Sequence, residues 1–151
     1  MKSKFQQLYM DWAKRVSELS YAKRLQVGSV IVKDDTVISY GYNGMPAGWD
    51  NVCEEYAKTV DPNTYEVIEN SDILVTRPEV LHAERNALDK LAKKGNVGGE
   101  GAYMFITHSP CLECAKSIYG AGISRVYYGE NYRDDSGIRF LKHSGVDVVQ
   151  L

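Results

Sequence analysis

Cysteine and histidine are scarce in this chain, with three residues of each among 151. Two of the three cysteines stand in one Cys-x-x-Cys unit, which argues against a disulfide-stabilised scaffold and indicates a reduced, cytoplasmic protein. No apolar run approaches the roughly 18 residues that a bilayer-crossing helix needs. The start, Met1–Lys4, leads into a polar amphipathic stretch rather than the apolar core of a signal peptide. We therefore expect no membrane partner.

A basic excess is also lacking, since the formal net charge is -2. A protein that neutralises many phosphates usually carries a broad excess of lysine and arginine, so we expect no nucleic-acid partner. A small phosphorylated ligand is compatible with this charge. The length fits one domain, residues 1–151, long enough to bury about two thirds of the surface that the unfolded chain exposes.

Two short motifs far apart in the chain combine metal ligands with a carboxylate. His82, Cys111 and Cys114 supply three zinc ligands, one fewer than a closed structural site uses. Zinc held by three protein groups keeps its fourth position for water, and the pKa of such water falls to about 7. Glu84, two residues after the histidine, is then placed to move protons. The pattern His-x-Glu…Pro-Cys-x-x-Cys is the signature of zinc-dependent nucleobase deaminases.

The spacing within these motifs predicts their local structure. Cys111 and Cys114 are three residues apart, so one helical turn directs both sulfurs the same way, and the helix N-terminus favours thiolates. His82 and Glu84 would point about 200° apart in a regular helix, so they converge only if His82 lies in or before the first turn. We expect a strand before each helix, ending where these residues begin, so that both helix N-termini meet at one side of the sheet.

Two alternatives to a catalytic metal stay open at this level. A Cys-x-x-Cys unit alone also occurs as a redox pair or a buried pair. A structural zinc site would take Cys53 as a fourth ligand, in which case Glu84 has no role. Outside such a cage, we expect Cys53 to be a buried or partly exposed thiol. His108 lies close to the second motif and is a candidate contact for a base or nucleotide.

The first half of the chain begins with a helical pattern. Apolar residues recur every three or four positions from Phe5 to Ser20, which predicts an amphipathic helix packed on a sheet. This stripe consists of Leu8, Trp12, Val16 and Leu19. Runs rich in β-branched residues, Gln26–Val32 and Thr36–Tyr40, predict a hairpin. From Ala47 to Glu79 the periodicity fades, which predicts a long irregular segment that is functional or an oligomer contact.

The second half alternates helices and strands. The predicted helices are a first one opened by His82 and ending near Gly95, a second at Cys111–Tyr119 and a third at Ser136–His143. The predicted strands are Ala102–Thr107, Arg125–Tyr128 and Val146–Val149. This order predicts an α/β protein in which neighbouring strands are parallel and helices cover both faces of the sheet.

Five segments give the chain a resemblance, along nearly its whole length, to the phage-type deoxycytidylate (dCMP) deaminases of the cytidine deaminase superfamily. These segments are Gln26–Val32, Gly41–Pro46, His82–Glu84, Ser109–Ala115 and Ala121–Ile123. The zinc motif fits any member of the superfamily, whereas Gly-Tyr-Asn-Gly-Met-Pro at 41–46 is typical of the dCMP branch. The resemblance implies a three-layer α/β/α cytidine deaminase-like fold, with a central mixed sheet of about five strands and one Zn²⁺ per subunit.

The resemblance also implies a reaction, the hydrolytic deamination of dCMP to dUMP and ammonia, which supplies dUMP for dTMP synthesis. His82, Cys111 and Cys114 would hold the zinc, and Glu84 would carry protons from the attacking water to N3 and to the departing amino group. The alternatives are a deaminase of another cytosine or adenine substrate, either a free nucleoside or a nucleic acid, and a non-catalytic structural zinc module.

Substrate contacts follow from the same resemblance. Asn43 is expected to hydrogen-bond the sugar, although an asparagine before glycine also serves as a turn former. Tyr132 is expected to contact the substrate, although core and interface roles are common for tyrosine. Ser109, beside the zinc motif, is a third candidate. Phosphate needs cations or helix amides, and the candidate cations are Lys23, Arg24, Arg133 and Arg139.

Regulation and assembly are expectations from relatives. In regulated relatives the loop after the second strand helps to bind a deoxynucleoside triphosphate, dCTP as activator or dTTP as inhibitor, which Mg²⁺ would accompany. The corresponding effector-site candidates here are Gly41, Tyr42, Asn43 and Gly44. Relatives assemble into hexamers, so we expect a homo-oligomer, with Trp49 at its contacts. The protein would act in the cytoplasm, that of the host if a phage encodes it.

Overall fold

The computed structural model describes residues 1–95 and 97–151. The helices are α1 (Ser3–Ser17), α2 (Ala83–Lys94), α3 (Leu112–Gly120) and α4 (Ser136–His143). The strands are β1 (Gly28–Lys33), β2 (Thr36–Tyr42), β3 (Glu54–Val60), β4 (Val67–Thr76), β5 (Tyr103–His108), β6 (Arg125–Glu130) and β7 (Asp147–Gln150). Within the described ranges, no helix has both the length and the apolar character needed to cross a bilayer.

Five strands form the central sheet in the order β2-β1-β5-β6-β7. β1 is antiparallel to β2 and to β5, whereas β5, β6 and β7 are parallel. The predicted hairpin and the predicted parallel neighbours are both confirmed. The sheet is mixed because a short turn makes β1 and β2 antiparallel, while helical connections make the later strands parallel.

Helices cover both faces of this sheet, as predicted. Side chains alternate between the faces along each strand. On one face Ile31, Met104 and Val126 pack against α2, α3 and α4. On the other face Phe105 and Tyr127 stack at 4.6 Å between ring centroids and contact α1. The result is the three-layer α/β/α architecture.

The face that α1 buries differs from the predicted stripe. The helix buries Tyr9, Met10, Ala13 and Val16, and of the stripe only Val16 belongs to the core. Leu8, Trp12 and Leu19 are exposed, and the helix ends at Ser17 rather than Ser20. The reason is steric. A Cβ atom on Gly28 of β1 would lie 2.1 Å from the Ala13 carbonyl oxygen, so around Ala13 the helix lies too close to the strand for a large side chain, whereas Tyr9 and Met10 are buried one turn earlier.

The prediction that residues 47–79 are irregular is wrong. β3 and β4 form a separate antiparallel two-stranded sheet. Its turn is held by Asp61, whose Oδ1 accepts hydrogen bonds from the backbone N–H groups of Asn63 and Thr64. Most of the hairpin is exposed on both faces, so its sequence lacks the alternation that marks a half-buried strand.

α2 lies against the end of β2 at backbone distance. A Cβ atom on Gly41 would lie 2.3 Å from the Ala83 carbonyl oxygen, so only glycine fits there. The hydroxyls of Ser29 and Ser39 donate hydrogen bonds to the Ala83 and Ala87 carbonyl oxygens at 2.9 and 2.7 Å. These contacts fix the first turn of α2, which carries the predicted chemistry, on the sheet.

Candidate active site

Three ligand-type side chains meet where α2 and α3 begin. His82 and Cys111 are the N-cap residues of these helices, both with extended backbone, and Cys114 lies in the first turn of α3. His82 Nδ1 is 3.6 Å from Cys111 Sγ and 3.3 Å from Cys114 Sγ. In a tetrahedral zinc site, with Zn–S near 2.3 Å and Zn–N near 2.0 Å, nitrogen and sulfur ligands lie about 3.5 Å apart. The three residues therefore fit a zinc ion.

Cys53 stands apart from this group. Within residues 1–95 and 97–151, the group of side chains close enough to share a metal consists of His82, Cys111 and Cys114. The Cys53 side chain is buried, and its thiol donates to the Asn51 carbonyl oxygen at 3.7 Å. The geometry is thus that of a three-ligand site, which leaves one tetrahedral position for a reactant.

The chain reaches His82 by a route that the sequence did not indicate. A strand does precede α3, but the strand before α2 is β4, which lies outside the central sheet. The connection is made by Leu81, which exchanges two backbone hydrogen bonds with Gly44 just after β2. The prediction that a strand of the sheet ends where His82 begins is therefore wrong, although the two helix N-termini do meet. A short bridge to the end of β2 places His82 instead.

Glu84 is buried beside the metal ligands, with 4% of its surface exposed. Burial raises the pKa of its carboxyl to about 6, and the backbone N–H at the helix N-terminus and His82 oppose that rise. A carboxyl group with a pKa near neutrality both accepts and releases a proton readily at physiological pH. This is the property that a proton carrier needs.

The two motifs also support an anionic sulfur. Hydrogen bonds with the Cys114 thiol and with His82 lower the pKa of the Cys111 thiol to about 4. The hydrogen bond with Cys111 raises the pKa of His82. The Cys114 backbone N–H, at the N-terminus of α3, points at Cys111 Sγ from 3.5 Å. Because the thiolate is the form that binds metals, these contacts prepare the site for a cation.

A cavity of about 260 Å³ opens onto the metal ligands and Glu84. Six parts of the chain form its wall. They are the α1–β1 connection, the residue after β2, the base of the β3–β4 hairpin, the β4–α2 connection with the first residues of α2, the end of β5 with the loop before α3, and the segment after β6. Besides His82, Glu84 and Cys111, its lining residues are Ala22, Arg24, Leu25, Val27, Asn43, Glu54, Thr76, Val80, Ala83, His108, Ser109, Tyr132 and Arg133.

The substrate candidates Asn43, Ser109, Tyr132 and Arg24 all line this cavity. Two of them also hold its wall together. Asn43 Oδ1 accepts a hydrogen bond from the Val27 N–H at 2.9 Å, and Asn43 Nδ2 donates to a carbonyl of the same loop. The buried Ser109 Oγ accepts the Tyr132 N–H at 2.7 Å. These side chains therefore shape the cavity whatever else they contact.

The effector candidates Gly41, Tyr42 and Gly44 lie outside the cavity lining, and only Asn43 of the four belongs to it. Each of the three makes a close contact with the α2 region. Gly41 touches the backbone of α2, the Tyr42 carbonyl accepts a hydrogen bond from Asn86 Nδ2 at 2.8 Å, and Gly44 pairs with Leu81. The contacts give this motif a packing role next to the metal site.

Sequence reasoning missed Glu54 and Thr76, which face each other at the base of the β3–β4 hairpin and line the cavity. Both fall in the segment predicted to be irregular. A usable signal was present, because β-rich runs flank the turn-forming Asp61–Thr64.

The seven arginines of the chain divide into two groups. Five form ion pairs with acids: Arg15 with Glu18, Arg77 with Asp50, Arg85 with Asp89, Arg125 with Asp147 and Arg139 with Asp135. Within the described residues, Arg24 and Arg133 pair with no carboxylate, and both line the cavity. Arg24 Nη1 donates to Thr76 Oγ1 at 3.1 Å, and the Arg133 guanidinium lies 5.8 Å from the Tyr132 ring centroid. Two unneutralised guanidinium groups suit an anionic ligand group.

The metal loop is also supported from behind by α4. A Cβ atom on Gly137 would lie 2.1 Å from the Pro110 carbonyl oxygen and 2.8 Å from that of Cys111. The first turn of α4 therefore presses directly on the backbone that carries a metal ligand.

The raised pKa of Glu84 predicts a cost in stability for the metal-free protein. The folded state binds the proton of the Glu84 carboxyl group more tightly than the unfolded state does. The protonated group therefore adds to the free energy of unfolding below pH 4.5, and this contribution is lost as pH rises through about 6. The loss totals about 2 kcal/mol, of which about 1 kcal/mol falls between pH 5 and 7.5. We expect the Glu84→Gln protein not to show this loss of unfolding free energy, because glutamine does not titrate. Urea unfolding of both proteins with a chelator, at pH 5 and 7.5, measures the difference, and an identical pH dependence in the two would contradict the prediction.

Comparisons with known proteins agree with this geometry. The family model described as the cytidine and deoxycytidylate deaminase zinc-binding region matches residues 3–130. The chain is 34% identical over 146 residues to ComE operon protein 2 of Bacillus subtilis, covering 96% of this chain and 70% of that protein. It is 32% identical over 167 residues to the deoxycytidylate deaminase of Enterobacteria phage T4, covering 90% and 84%. The crystal structure of the dCMP deaminase of cyanophage S-TIM5 in complex with dCMP and dUMP superposes with a TM-score of 0.85 at 38% identity, covering 100% of this chain and 99% of that one.

Proposed function

Since the chain belongs to the cytidine and deoxycytidylate deaminase family, we propose that it is a zinc-dependent dCMP deaminase, which converts dCMP and water to dUMP and ammonia. One observation carries the choice of substrate. A single cavity is lined by His82 and Cys111 of the three-ligand group, by Glu84, and by two arginines that no carboxylate of the described residues neutralises. The first set suits attack on a base, and the second suits a phosphate.

The residues divide the reaction between them. His82, Cys111 and Cys114 hold the zinc, which when bound lowers the pKa of water to about 7. Glu84 takes a proton from the water that attacks C4 of the cytosine. It gives this proton to N3, then takes a second proton from the hydroxyl now bonded to C4 and passes it to the amino group, which leaves as ammonia. The burial of Glu84 beside the ligands keeps its carboxyl group within reach of the water and the base and shielded from solvent.

The remaining wall residues bind and orient the nucleotide. Arg24 and Arg133 hold the 5′-phosphate, and Tyr132 and Ser109 line the same cavity. The two hydrogen bonds of Asn43 to the α1–β1 connection keep Arg24 in the wall, and the second N–H of its amide is available to donate to a sugar oxygen.

Loss of one cavity arginine should lower the activity on the nucleotide dCMP but not the activity on the nucleoside deoxycytidine. We expect Arg24→Gln to lower kcat/KM for dCMP by about tenfold to a hundredfold, because a charge-assisted bond to phosphate is lost, with little change for deoxycytidine. Arg139→Gln is the matched control, since Arg139 pairs with Asp135 on the surface and lies outside the cavity. Equal losses for dCMP and deoxycytidine in Arg24→Gln would contradict the phosphate role.

The direct test of the proposed function is ammonia release from dCMP, CMP and deoxycytidine in parallel. We expect turnover of dCMP to exceed that of deoxycytidine by at least tenfold. Turnover restricted to the nucleoside, or to cytosine within an oligonucleotide, would replace the proposal by another deaminase activity.

The resemblance to regulated relatives extends the proposal. We infer activation by dCTP and inhibition by dTTP, each with Mg²⁺, at a site that includes Gly41–Gly44. Residues 1–151 act as one deaminase domain, in a homo-oligomer, expected to be a hexamer, with Trp49 at its contacts. The enzyme works in the cytoplasm, where its dUMP feeds dTMP synthesis. Repeating the ammonia assay with each triphosphate, and measuring the mass of the particle in solution, tests these points.

A further inference from the structure

Glu54 is a buried acid that the reaction does not use. Of the described residues that line the cavity, two are carboxylates, Glu84 and Glu54. Glu54 begins β3 and has 7% of its surface exposed. A buried carboxylate is costly unless it is hydrogen-bonded, so its place in the cavity wall calls for partners.

One carboxylate oxygen of Glu54 accepts two hydrogen bonds. Oε1 accepts the backbone N–H groups of Lys23 and Arg24 at 2.8 and 3.0 Å, which holds the segment that brings Arg24 to the cavity. The other oxygen, Oε2, accepts no hydrogen bond from the residues that the structure describes, and it is not sealed from solvent. The Arg24 guanidinium does not pair with it either, because its bond goes to Thr76, the cross-strand neighbour of Glu54.

A free carboxylate oxygen beside a phosphate site needs a hydrogen-bond donor from the ligand. It repels the phosphate itself. In dCMP the amino group of the base belongs at the metal ligands and Glu84, and the deoxyribose has no 2′-hydroxyl. The 3′-hydroxyl is the one donor left, and the sugar lies between base and phosphate, as Glu54 lies in the wall of the same cavity.

We propose that Glu54 is a specificity-determining residue, whose Oε1 fixes the Lys23–Arg24 backbone and whose Oε2 accepts a hydrogen bond from the 3′-hydroxyl of the nucleotide. The proposal rests on the proposed dCMP deaminase activity. It assigns sugar selection to the β3–β4 hairpin, a part of the chain that carries none of the predicted site residues.

The test compares dCMP with 2′,3′-dideoxycytidine 5′-monophosphate, which lacks only the 3′-hydroxyl. The wild-type protein should show a kcat/KM at least tenfold higher for dCMP. Glu54→Gln keeps an oxygen for the two backbone N–H groups but removes the charged acceptor, and should narrow that ratio at least fivefold. Glu54→Asp withdraws the carboxylate by one methylene and should narrow it as well. Glu55→Gln, the same change at the exposed neighbour, should leave the ratio unchanged.

The outcomes distinguish a failure of the proposed deaminase activity from a failure of the role of Glu54. If the wild-type protein releases no ammonia from dCMP, the proposed function fails. If it deaminates both nucleotides equally well, or if Glu54→Gln with intact zinc content and melting temperature slows both in equal proportion, only the role of Glu54 is overturned. The wild-type ratio and the Glu54→Asp ratio decide the matter should Glu54→Gln not fold.

Discussion

Replacing Glu84 by alanine will lower kcat for dCMP by about a thousandfold or more while the protein keeps its zinc. A general acid–base group contributes about a hundredfold to ten-thousandfold to the reaction rate, and in the proposed reaction Glu84 transfers more than one proton. Its carboxylate is not among the three metal ligands, so metal content should stay at one per chain. Single-turnover ammonia release measures the rate, and elemental analysis measures the zinc content per chain.

The control for this experiment is Glu113→Ala. Glu113 lies in the first turn of α3 between the two ligand cysteines, but its side chain is exposed and pairs with Lys116. Loss of that carboxylate should leave kcat within about twofold of wild type, since exposed pairs of this kind contribute little. An active Glu84→Ala protein, within tenfold of wild type, would remove Glu84 from the reaction.

Replacing Cys114 by alanine will abolish both zinc binding and turnover. Cys114 is the most buried of the three residues that lie close enough to share a metal, so its loss leaves two ligands for an ion that prefers four-coordination. We expect less than about a tenth of a zinc per chain after dialysis and a lowered melting temperature, because metal binding contributes to folding. Metal analysis and thermal unfolding measure both.

Cys53→Ser is the informative comparison. A four-ligand structural cage would need Cys53 and would lose zinc when it changes, whereas the three-ligand site predicts a full complement of zinc and near-normal turnover. A zinc-depleted Cys53→Ser protein, or a Cys114→Ala protein with one zinc per chain, would refute the arrangement described above.

The metal group was predictable from sequence because its determinants are local. Spacing alone required His82 to precede a helix and both sulfurs to share a turn, and backbone conformations at His82 and Cys111 agree. The alternation of helices and strands after His82 gave the parallel strands for the same reason. Such patterns report which side of one element is buried, and they need no knowledge of distant residues.

The face of α1 was not predictable in this way. Apolar character favoured Leu8 and Trp12, but the close approach of the helix to Gly28 admits only a small residue, Ala13, at the centre of the contact. The distance between two elements is a tertiary property that no single helical pattern contains. The β3–β4 hairpin was not predicted for a different reason. Most of its residues are exposed, so its sequence lacks the alternation of apolar and polar residues that a half-buried strand shows.

The ligand-binding wall was predictable only in part. Sequence singled out four cations for the phosphate, and the structure places two of them, Arg24 and Arg133, in the cavity. What distinguishes Arg139 is its carboxylate partner Asp135. The role proposed for Glu54 depends on a hairpin that brings this residue to Lys23 and Arg24, about thirty positions earlier in the chain. Pairing across such distances emerges from the fold.

The contact between α4 and the metal loop constrains how this enzyme can change. Since Gly137 lies against the carbonyls of Pro110 and Cys111, a methyl group there would displace a zinc ligand although Gly137 itself has no chemistry. A comprehensive mutational survey should therefore find position 137 as intolerant as the ligands. Any redesign of residues 109–111 for a new substrate must also treat the first turn of α4 as part of the catalytic scaffold.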